Sequence, residues 1–260
     1  VQGGIDRVSG LSIYEYSYFM SRLPRAKNAS GTRALAIGLG AGIVPTWLEA
    51  RGVSCDVIEI DPEIVLLARE SFAFHPSGAI YVEDARACLA RLDGQWDYVL
   101  LDVFGGDTTP GHLLSSEALA LVAPRIAPGG VLAANLITEV TPDPWVLASV
   151  VRTMKTMFDV VEIHPTFDTS PAGPGFGNVI VIAYDGPRRP IERSDLLLEP
   201  VHELARVAVE ATLGREWLLP EDARGTILTD EFNPIDFFDR RTRERVRAQI
   251  IAGTDFDILL

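Results

Sequence analysis

The chain has 260 residues, of which 47% are hydrophobic and 23% are charged, a composition typical of one globular domain with a sizeable core. No apolar run approaches the roughly 18–20 residues that a membrane helix needs, so neither a membrane helix nor a membrane partner is expected. The formal net charge of −13 argues against nucleic acid, whose phosphates would be repelled, and favours a cationic partner.

The first thirty residues are predicted to form a segment of their own, 1–30, ahead of a main domain at 31–260. Residues 1–12 are rich in Gly and Ser and indicate a loop or the stub of a hairpin, without the basic start and apolar core of a signal peptide. The first residue is Val1 and not Met, which leaves room for residues upstream. Ser12–Leu23 places aromatic residues near helical spacing and predicts a short helix that ends at Pro24.

From residue 31 onward, short apolar strands alternate with helices. The predicted strands are Ala34–Ile37, Cys55–Ile60, Ala79–Val82, Trp96–Leu101, Val131–Leu136, Val160–His164 and Asn178–Tyr184. The predicted helices are Ile43–Arg51, Pro62–Phe72, Ala85–Arg91, Ser116–Ile126, Pro144–Phe158, Val201–Leu213 and Arg240–Ile251. Strand–helix repetition predicts a parallel sheet covered on both faces, and the Gly/Pro-rich loop before the last strand indicates a closing antiparallel pair. The expected fold is α/β and class I methyltransferase-like (Rossmann-like), with a mostly parallel seven-stranded sheet and helices on both faces.

Cysteine and histidine are sparse. Cys55 and Cys88 are the two cysteines, and neither has metal-ligand spacing around it, so the sequence predicts reduced thiols, no disulfide framework and a cytoplasmic location. His112 and His164 have no ligand partner at helical or hairpin spacing, and we expect no metal site.

Candidate ligand-binding residues cluster at the ends of the first four strands. In open α/β sheets, ligands bind beyond the carboxyl ends of the strands. The first strand is followed by Gly38, Gly40 and Gly42, the second ends in Glu59, and the third and fourth are followed by Asp84 and Asp102. Glycines let a ligand approach the backbone and the start of the next helix. The pattern therefore predicts one binding site at this edge of the sheet.

The acids at these strand ends suit a nucleoside. Glu59 follows Gly38 by about twenty positions, the offset at which an acid accepts hydrogen bonds from ribose hydroxyls. Asp84 and the amide of Ala85 suit the adenine amine and a ring nitrogen, and Asp102 would face a sulfonium or amine. Acids after the third and fourth strands disfavour a nicotinamide cofactor. The alternative for each acid is that it caps the next helix, as Asp61 is expected to do.

Five stretches of the sequence resemble the spermidine synthase (polyamine aminopropyltransferase) family. They are AIGLGAG at 36–42, VIEIDPEIV at 57–65, EDAR at 83–86, YVLLDVF at 98–104 and SSEAL at 115–119. The resemblance runs from about residue 10 to residue 185. It is strongest to the spermidine-synthase-like branch that also occurs fused to membrane transporters, through Asp102–Leu113 and Ile227–Asp236.

The resemblance implies transfer of an aminopropyl group from decarboxylated S-adenosylmethionine to a polyamine or related amine, without a metal. It implies that Glu59 holds the ribose and Asp84 the adenine, and that Tyr16 faces the substrate. Asp102 corresponds to the first aspartate of the family's active-site loop and would orient the amine, with Asp107 as the base. Members of the family are commonly dimers, so a homodimer is implied as well.

Several positions depart from the family pattern. The second aspartate of the loop is Gly105, so Asp107, two residues on, is assigned as the base in its place. Where the family has an aspartate near the donor's amino group, this sequence has Ala41. Where the family has His-Glu after the substrate-facing tyrosine, this sequence has Ser17 and Tyr18. Two alternatives therefore stay open. One is a methyltransferase that uses intact S-adenosylmethionine, and the other is a non-catalytic nucleoside-binding domain.

Overall fold

Seven strands form one sheet in the computed structural model of the chain, which describes residues 3–104, 110–140 and 143–238 together with residues 240, 244 and 248. The strands are β1 (Arg33–Ile37), β2 (Ser54–Glu59), β3 (Ile80–Val82), β4 (Trp96–Leu101), β5 (Ile126–Glu139), β6 (Val160–Pro165) and β7 (Phe176–Tyr184). The helices are α1 (Tyr16–Lys27), α2 (Ile43–Glu49), α3 (Pro62–Phe72), α4 (Ala85–Arg91), α5 (Ser116–Val122), α6 (Trp145–Met154), α7 (Arg193–Leu196), α8 (Glu203–Thr212) and α9 (Ile235–Phe238).

The strand order is β3-β2-β1-β4-β5-β7-β6, and β7 alone runs antiparallel to its neighbours. This topology confirms the predicted α/β class I methyltransferase-like fold. Chain order reverses between β1 and β4, which is where open α/β sheets bind ligands. Ile37 of β1 pairs with Ile58 of β2 and Leu101 of β4, so the residues that follow these strands lie side by side at one edge.

Both faces of the sheet are covered, which explains why its strands are apolar almost throughout. Leu35 and Ile37 point into a core shared with α4, α5 and α6. Ala34 faces the opposite core, which α1, α2 and α8 cover, together with Tyr98 on β4. Because alternate residues of β1 enter different cores, four of its five residues are buried.

The helix predicted to end at Pro24 instead runs from Tyr16 to Lys27, so that boundary was wrong. Proline removes one helical hydrogen bond, but Pro24 is buried and its carbonyl accepts from the Asn28 amide, which continues the helix. Packing of α1 against β5 and β7 compensates for the missing bond. Ahead of this helix, Ile5 and Ser12 form an isolated antiparallel bridge.

Element boundaries differ most around β5. The helix predicted to reach Ile126 ends at Val122, and a 3₁₀ turn at Ala123–Arg125 follows it. The strand predicted at Val131–Leu136 begins earlier, at Ile126, because the ladder with β4 shifts register between Trp96 and Tyr98 and accommodates residues 128–130. The predicted helix Arg240–Ile251 lies outside the described residues, apart from residues 240, 244 and 248.

The C-terminal segment returns to the sheet after α8. The amide of Trp217 donates to the carbonyl of Ile163 on β6 at 2.8 Å. Farther along, the amide of Leu228 donates to Thr153 on α6, and its carbonyl accepts from the amide of Ser116 at the start of α5. None of the described helices has the length and hydropathy to span a bilayer. Cys55 and Cys88 are both buried and unpaired.

Candidate functional site

A cavity of about 590 Å³, called here the strand-end cavity, opens at the carboxyl ends of β1, β2 and β4. The residues of its lining that carry the chemistry below are Tyr16, Gly38, Leu39, Gly40, Ala41, Glu59, Ile60, Leu67 and Asp102. The structure therefore brings together the predicted site residues from the first, second and fourth strands and from the N-terminal helix. Asp84, Ala85 and Gly42 are not part of this lining.

Gly38 sits at a close backbone contact between two of these strands. It has φ +88°, and a Cβ built on it would lie 2.3 Å from the carbonyl oxygen of Asp102. Its amide donates to the carbonyl of Ile58 at 2.8 Å. Glycine is therefore required for both conformation and space, and the contact holds the glycine loop against the backbone of Asp102.

Glu59 is held at the mouth of the cavity by two backbone amides. The Leu39 amide donates to Oε2 at 2.9 Å, and the Asp61 amide donates to Oε1 at 3.0 Å. A carboxylate offers about four acceptor positions, so acceptor capacity remains for a vicinal diol. The glycine loop that lines the cavity thus also orients the acid beside it.

Asp102 lies on the cavity side of the β4 end and is partly buried. Its amide donates to the Ile37 carbonyl at 2.9 Å, and its Oδ1 accepts from Nδ2 of Asn135 on β5 at 2.9 Å. Burial raises the pKa of Asp102 to about 6, and the hydrogen bond from Asn135 opposes that rise. The result is a carboxylate that is ionised at neutral pH but basic for an aspartate.

Asn135 was missed by sequence reasoning. It occupies the middle of β5 and is fully buried. The available signal was one amide in an otherwise apolar strand, since a buried polar side chain in such a place needs a partner.

Tyr16, the first residue of α1, lines the same cavity as Asp102. Burial raises the pKa of Tyr16 well above its usual value of 10, and the negative charges of Asp102 and Glu15 raise it further. The phenol therefore keeps its proton at neutral pH. A neutral hydroxyl beside an ionised carboxylate suits the binding of an amine, because the two groups donate and accept hydrogen bonds respectively.

Asp84 acts as the N-cap of α4 in this structure. Its Oδ1 accepts from the Ala87 amide at 2.9 Å, and its side chain is exposed. Asp61 caps α3 in the same way, accepting from the Glu63 amide at 2.9 Å, as its sequence position predicted. Capping uses one carboxylate oxygen of Asp84. Contacts of Asp84 and the Ala85 amide with adenine stay a prediction.

The base expected from the sequence, Asp107, lies outside the described residues, as does Gly105. The described chain resumes at Pro110, and the carbonyl of Gly111 accepts from Nδ2 of Asn233 at 2.6 Å. The C-terminal segment therefore contacts the chain just after its description resumes.

Asp230 belongs to a polar cluster at the start of α5. Arg86 donates to its two oxygens at 2.7 and 2.5 Å, and the hydroxyl of Ser115 donates to Oδ1 at 2.6 Å. The hydrogen bonds from Arg86 and then Ser115 lower the pKa of Asp230 to about 2. In the structure, Asp230 ties the C-terminal segment to α4 through Arg86 and to the start of α5 through Ser115. Arg86 is the last residue of the EDAR stretch.

Asp168 and His164 are not part of the cavity lining. Asp168 is exposed in a turn, where it accepts from the amide and hydroxyl of Ser170. His164 is buried beside Glu162, on the face of the sheet that α1 covers. Across the described ranges, no three His, Cys, Asp or Glu side chains are grouped closely enough to hold a metal ion.

Among curated proteins, the chain is similar to two kinds of transferase. It is 29% identical over 178 residues to an N-terminal histidine N-methyltransferase of Emericella nidulans, a match that covers 66% of this chain and 31% of that protein. It is 38% identical over 115 residues to a polyamine aminopropyltransferase of Vibrio vulnificus, covering 42% of this chain and 38% of that protein. The chain thus spans about a third of the length of the curated relatives it matches. No family model matches the sequence.

Two solved structures share the fold. A probable spermidine synthase from Corynebacterium glutamicum superposes with a TM-score of 0.62 and 23% identity, over 80% of this chain and 82% of that one. Human methyltransferase-like protein 13 in complex with SAH superposes with a TM-score of 0.53 and 20% identity, over 80% of this chain and 94% of that one.

The sheet topology and the cavity at its switch point define a class I methyltransferase-like protein. Within that class the chain is similar in sequence to polyamine aminopropyltransferases, in line with the resemblance described above. The relation to the transporter-fused branch stays a prediction.

Proposed function

We propose that the chain is a transferase that binds an S-adenosyl donor in the strand-end cavity and moves a carbon group from its sulfonium to an amine. The first candidate is aminopropyl transfer from decarboxylated S-adenosylmethionine to a polyamine or related amine. One observation carries the proposal: Glu59, Asp102 and Tyr16, which come from three separate elements, line one cavity beside a glycine loop. The homodimer implied by the resemblance is part of this proposal.

The cavity offers suitable groups for each part of the donor. Its volume of about 590 Å³ falls within the range of roughly 300–1,000 Å³ that small-molecule sites occupy. Glu59 would accept from the ribose hydroxyls, and Asp84 with the Ala85 amide would meet the adenine edge. Ile60 and Leu67 line the cavity although 65% and 48% of their surfaces are exposed. Apolar side chains at the rim would cover the faces of the base.

The chemistry requires alignment and a neutral amine. The amine nitrogen attacks the carbon bonded to the sulfonium, the C–S bond breaks, and a neutral thioether nucleoside leaves. Because the sulfonium is already a good leaving group, positioning supplies most of the acceleration. Amines are protonated at neutral pH, so a carboxylate must also accept a proton.

Asp102 and Tyr16 are assigned to the acceptor amine. Asp102 would orient the nitrogen and favour its approach by charge, and Tyr16 would hydrogen-bond to it. Asp107 is the proposed base from its position in the sequence. The pKa of about 6 at Asp102 makes that residue a competent proton acceptor as well, so the Asp107→Asn and Asp102→Asn variants are needed to separate the two roles.

Methyl transfer from intact S-adenosylmethionine is the second candidate function. Ala41 lines the strand-end cavity at the position where the resemblance places an acid near the donor's amino group. Without that acid, the site has lost one group that would select the decarboxylated donor. The relative with the longer match, covering 66% of this chain, is a methyltransferase by name.

The test is calorimetric titration with S-adenosylmethionine, its decarboxylated form and methylthioadenosine, followed by product analysis with putrescine and spermidine. Tighter binding of the decarboxylated donor, with methylthioadenosine release, supports aminopropyl transfer. Preference for the intact donor with methylated product supports the second candidate. Nucleoside binding without any product from either donor contradicts both and leaves a non-catalytic binding domain.

A further inference from the structure

A second cavity, of about 360 Å³, lies next to the strand-end cavity and has no part in the proposed reaction. It opens between Tyr18 on α1 and Trp47 on α2, and is called here the α1–α2 cavity. The residues ahead of α1 and those just before α8 complete its walls. Four residues line both cavities: Ala41, Ile43, Val44 and Phe72. The two cavities are therefore separated by one shared wall.

The hydroxyl groups that α1 and the residues ahead of it bring to the α1–α2 cavity already have partners. Ser12 and Ser17 donate through Oγ to the carbonyl of Tyr14, at 3.1 and 2.9 Å. Ser21 donates to the carbonyl of Ser17 at 2.7 Å. The hydroxyl of Tyr18 donates to the carbonyl of Ser12 at 2.6 Å. A polar ligand would have to compete with the backbone for these protons.

The charged side chains of the lining are paired with each other. Among the described residues that line the α1–α2 cavity, Arg51 and Glu199 are the two that carry a charge. Nε of Arg51 donates to Oε1 of Glu199 at 3.1 Å, and a second hydrogen bond joins Nη2 to Oε2. The guanidinium also lies over the ring of Trp47, 3.7 Å from its centroid. The lining therefore offers no unpaired countercharge to an ionised ligand.

Much of the remaining lining is apolar, and it includes Ile5, Leu11, Ile43, Val44, Trp47 and Phe72. We propose that the α1–α2 cavity binds a small, uncharged, largely apolar molecule, and that this ligand changes the affinity of the strand-end cavity for a nucleoside. The volume lies at the lower end of the range of roughly 300–1,000 Å³ for small-molecule sites, and admits a molecule of the size of indole.

The shared wall provides the coupling between the two cavities. Ile43 begins α2 directly after the glycine loop, and Phe72 ends α3, so both are fixed to elements that border the strand-end cavity. A ligand that packs against one side of these side chains changes the positions open to them on the other side. The coupling rests on the proposed function, because it requires a nucleoside in the strand-end cavity.

The experiment uses indole as the neutral probe, with tryptamine and indole-3-acetate as probes that add one positive or negative charge to the same ring. Calorimetry measures their binding to protein saturated with methylthioadenosine, which keeps the nucleoside site occupied. Only binding that Ala50→Phe removes is assigned to the α1–α2 cavity. We expect indole to bind there with an affinity about tenfold or more above that of either charged probe, because neither charge finds a partner.

Two variants and a control locate the probe. Ala50 is exposed at the end of α2 and lines the cavity, so the ring of Ala50→Phe can occupy it and should weaken indole binding about tenfold or more. Trp47→Leu removes an aromatic wall and should weaken indole binding as well. Ala211→Phe makes the matched substitution at an exposed position near the end of α8 and should leave indole affinity within about twofold of wild type. Nucleoside affinity confirms that each variant is folded.

Coupling is measured as the dissociation constant of methylthioadenosine at increasing indole concentrations. We expect a change of about fivefold or more that levels off once indole saturates, and the same factor in the indole constant. A change that grows without limit would mean competition for one site and would overturn the inference, as would equal indole affinity in wild type and Ala50→Phe. A nucleoside constant that indole leaves unchanged would overturn the coupling. If methylthioadenosine does not bind, the proposed function fails, and indole binding without nucleoside in the same variants still decides the second site.

Discussion

The side-chain amide of Asn135 donates a hydrogen bond of 2.9 Å to the carboxylate of Asp102, joining the centre of β5 to the end of β4. Burial raises the pKa of Asp102, and this hydrogen bond limits the rise. In the proposed reaction, Asn135 would therefore act through Asp102, as a positioning residue that also sets the pH range in which the carboxylate is ionised.

Asn135→Leu should move the acid limb of the activity profile. Without the amide, the pKa of Asp102 rises above about 6, so ionised Asp102 appears only at higher pH. We expect the acid limb of kcat/KM to shift upward by about one pH unit, with methylthioadenosine affinity at pH 8 nearly unchanged. A profile that coincides with wild type would show that Asp102 does not need to be ionised.

Asp102→Asn should stabilise the protein at neutral pH. The pKa of Asp102 is about 6 in the folded state against 3.8 for an ordinary aspartate, so folding favours its protonated form. Its contribution to stability is complete below about pH 4 and is lost as the pH rises through 6. Asparagine cannot ionise, so the variant should be more stable than wild type at pH 7.5, by on the order of 1–3 kcal/mol.

Urea unfolding at pH 4 and pH 7.5 measures this difference. The comparison between variant and wild type removes the contribution of the other acids to the pH dependence of stability. Some of them, such as Glu162, have a lowered pKa and so stabilise the protein more at neutral than at acid pH. A gain in stability of the same size at both pH values would contradict the assignment. Activity should fall in the same variant, because the charge that raises the folding cost is the one proposed to orient the amine.

Glu59→Gln should weaken nucleoside binding by roughly tenfold or more. Both oxygens of Glu59 accept from backbone amides, of Leu39 and Asp61, so the NH₂ group of a glutamine would face an N–H donor. The side chain must then turn and lose its orientation toward the ribose. Calorimetry with methylthioadenosine measures the loss.

Glu63→Gln is the control for Glu59→Gln, since Glu63 is exposed in the first turn of α3. Its methylthioadenosine affinity should stay close to that of wild type. Equal weakening in both variants would mean that general charge, and not the ribose contact, is responsible.

Lys27→Met should be strongly destabilising. Nζ of Lys27 lies 2.7 Å from Oε2 of Glu162, and both side chains are buried. Burial alone would raise the pKa of Glu162, but hydrogen bonds with His164, Lys27 and Tyr184 outweigh it and lower the pKa to about 2. Removing the lysine leaves this buried carboxylate with Arg188, 3.9 Å from Oε1, as its remaining cation. Breaking a buried ion pair typically costs about 3–5 kcal/mol.

Guanidinium unfolding measures the loss in Lys27→Met. The chain's other lysine, Lys155, is exposed at the end of α6, so Lys155→Met is a matched control that should change stability by less than about 0.5 kcal/mol. Similar values for the two variants would show that the buried pair contributes no more than a surface charge.

The strands and the residues at their ends could be predicted because each depends on a local pattern. Apolar runs marked the strands, and glycine or an acid marked the ends where Gly38, Glu59 and Asp102 now line one cavity. The sheet geometry then brings these ends together without further information. Asp84 shows the limit of this reasoning, because an acid at a strand end also fits a helix cap, and here it caps α4.

Contacts between distant parts of the chain could not be predicted. Asn135 meets Asp102, and Glu162 meets Lys27, across 33 and 135 positions, and no local pattern encodes either pairing. The continuation of α1 through Pro24 has the same origin, since packing against β5 and β7 overrides the local preference to stop. Tertiary contacts decided each of these features.

The anchoring of α1 also bears on the order in which the chain can assemble during synthesis. Tyr16 is made long before the partners that fix its helix, since Glu162 lies 135 positions after Lys27 and Thr166 lies 151 positions after Glu15. A nascent chain that has emerged only as far as Asp102 contains the glycine loop and Glu59. It still lacks the residues that hold α1, and with it Tyr16, against the cavity. Nucleoside retention should therefore begin only after β6 has been made.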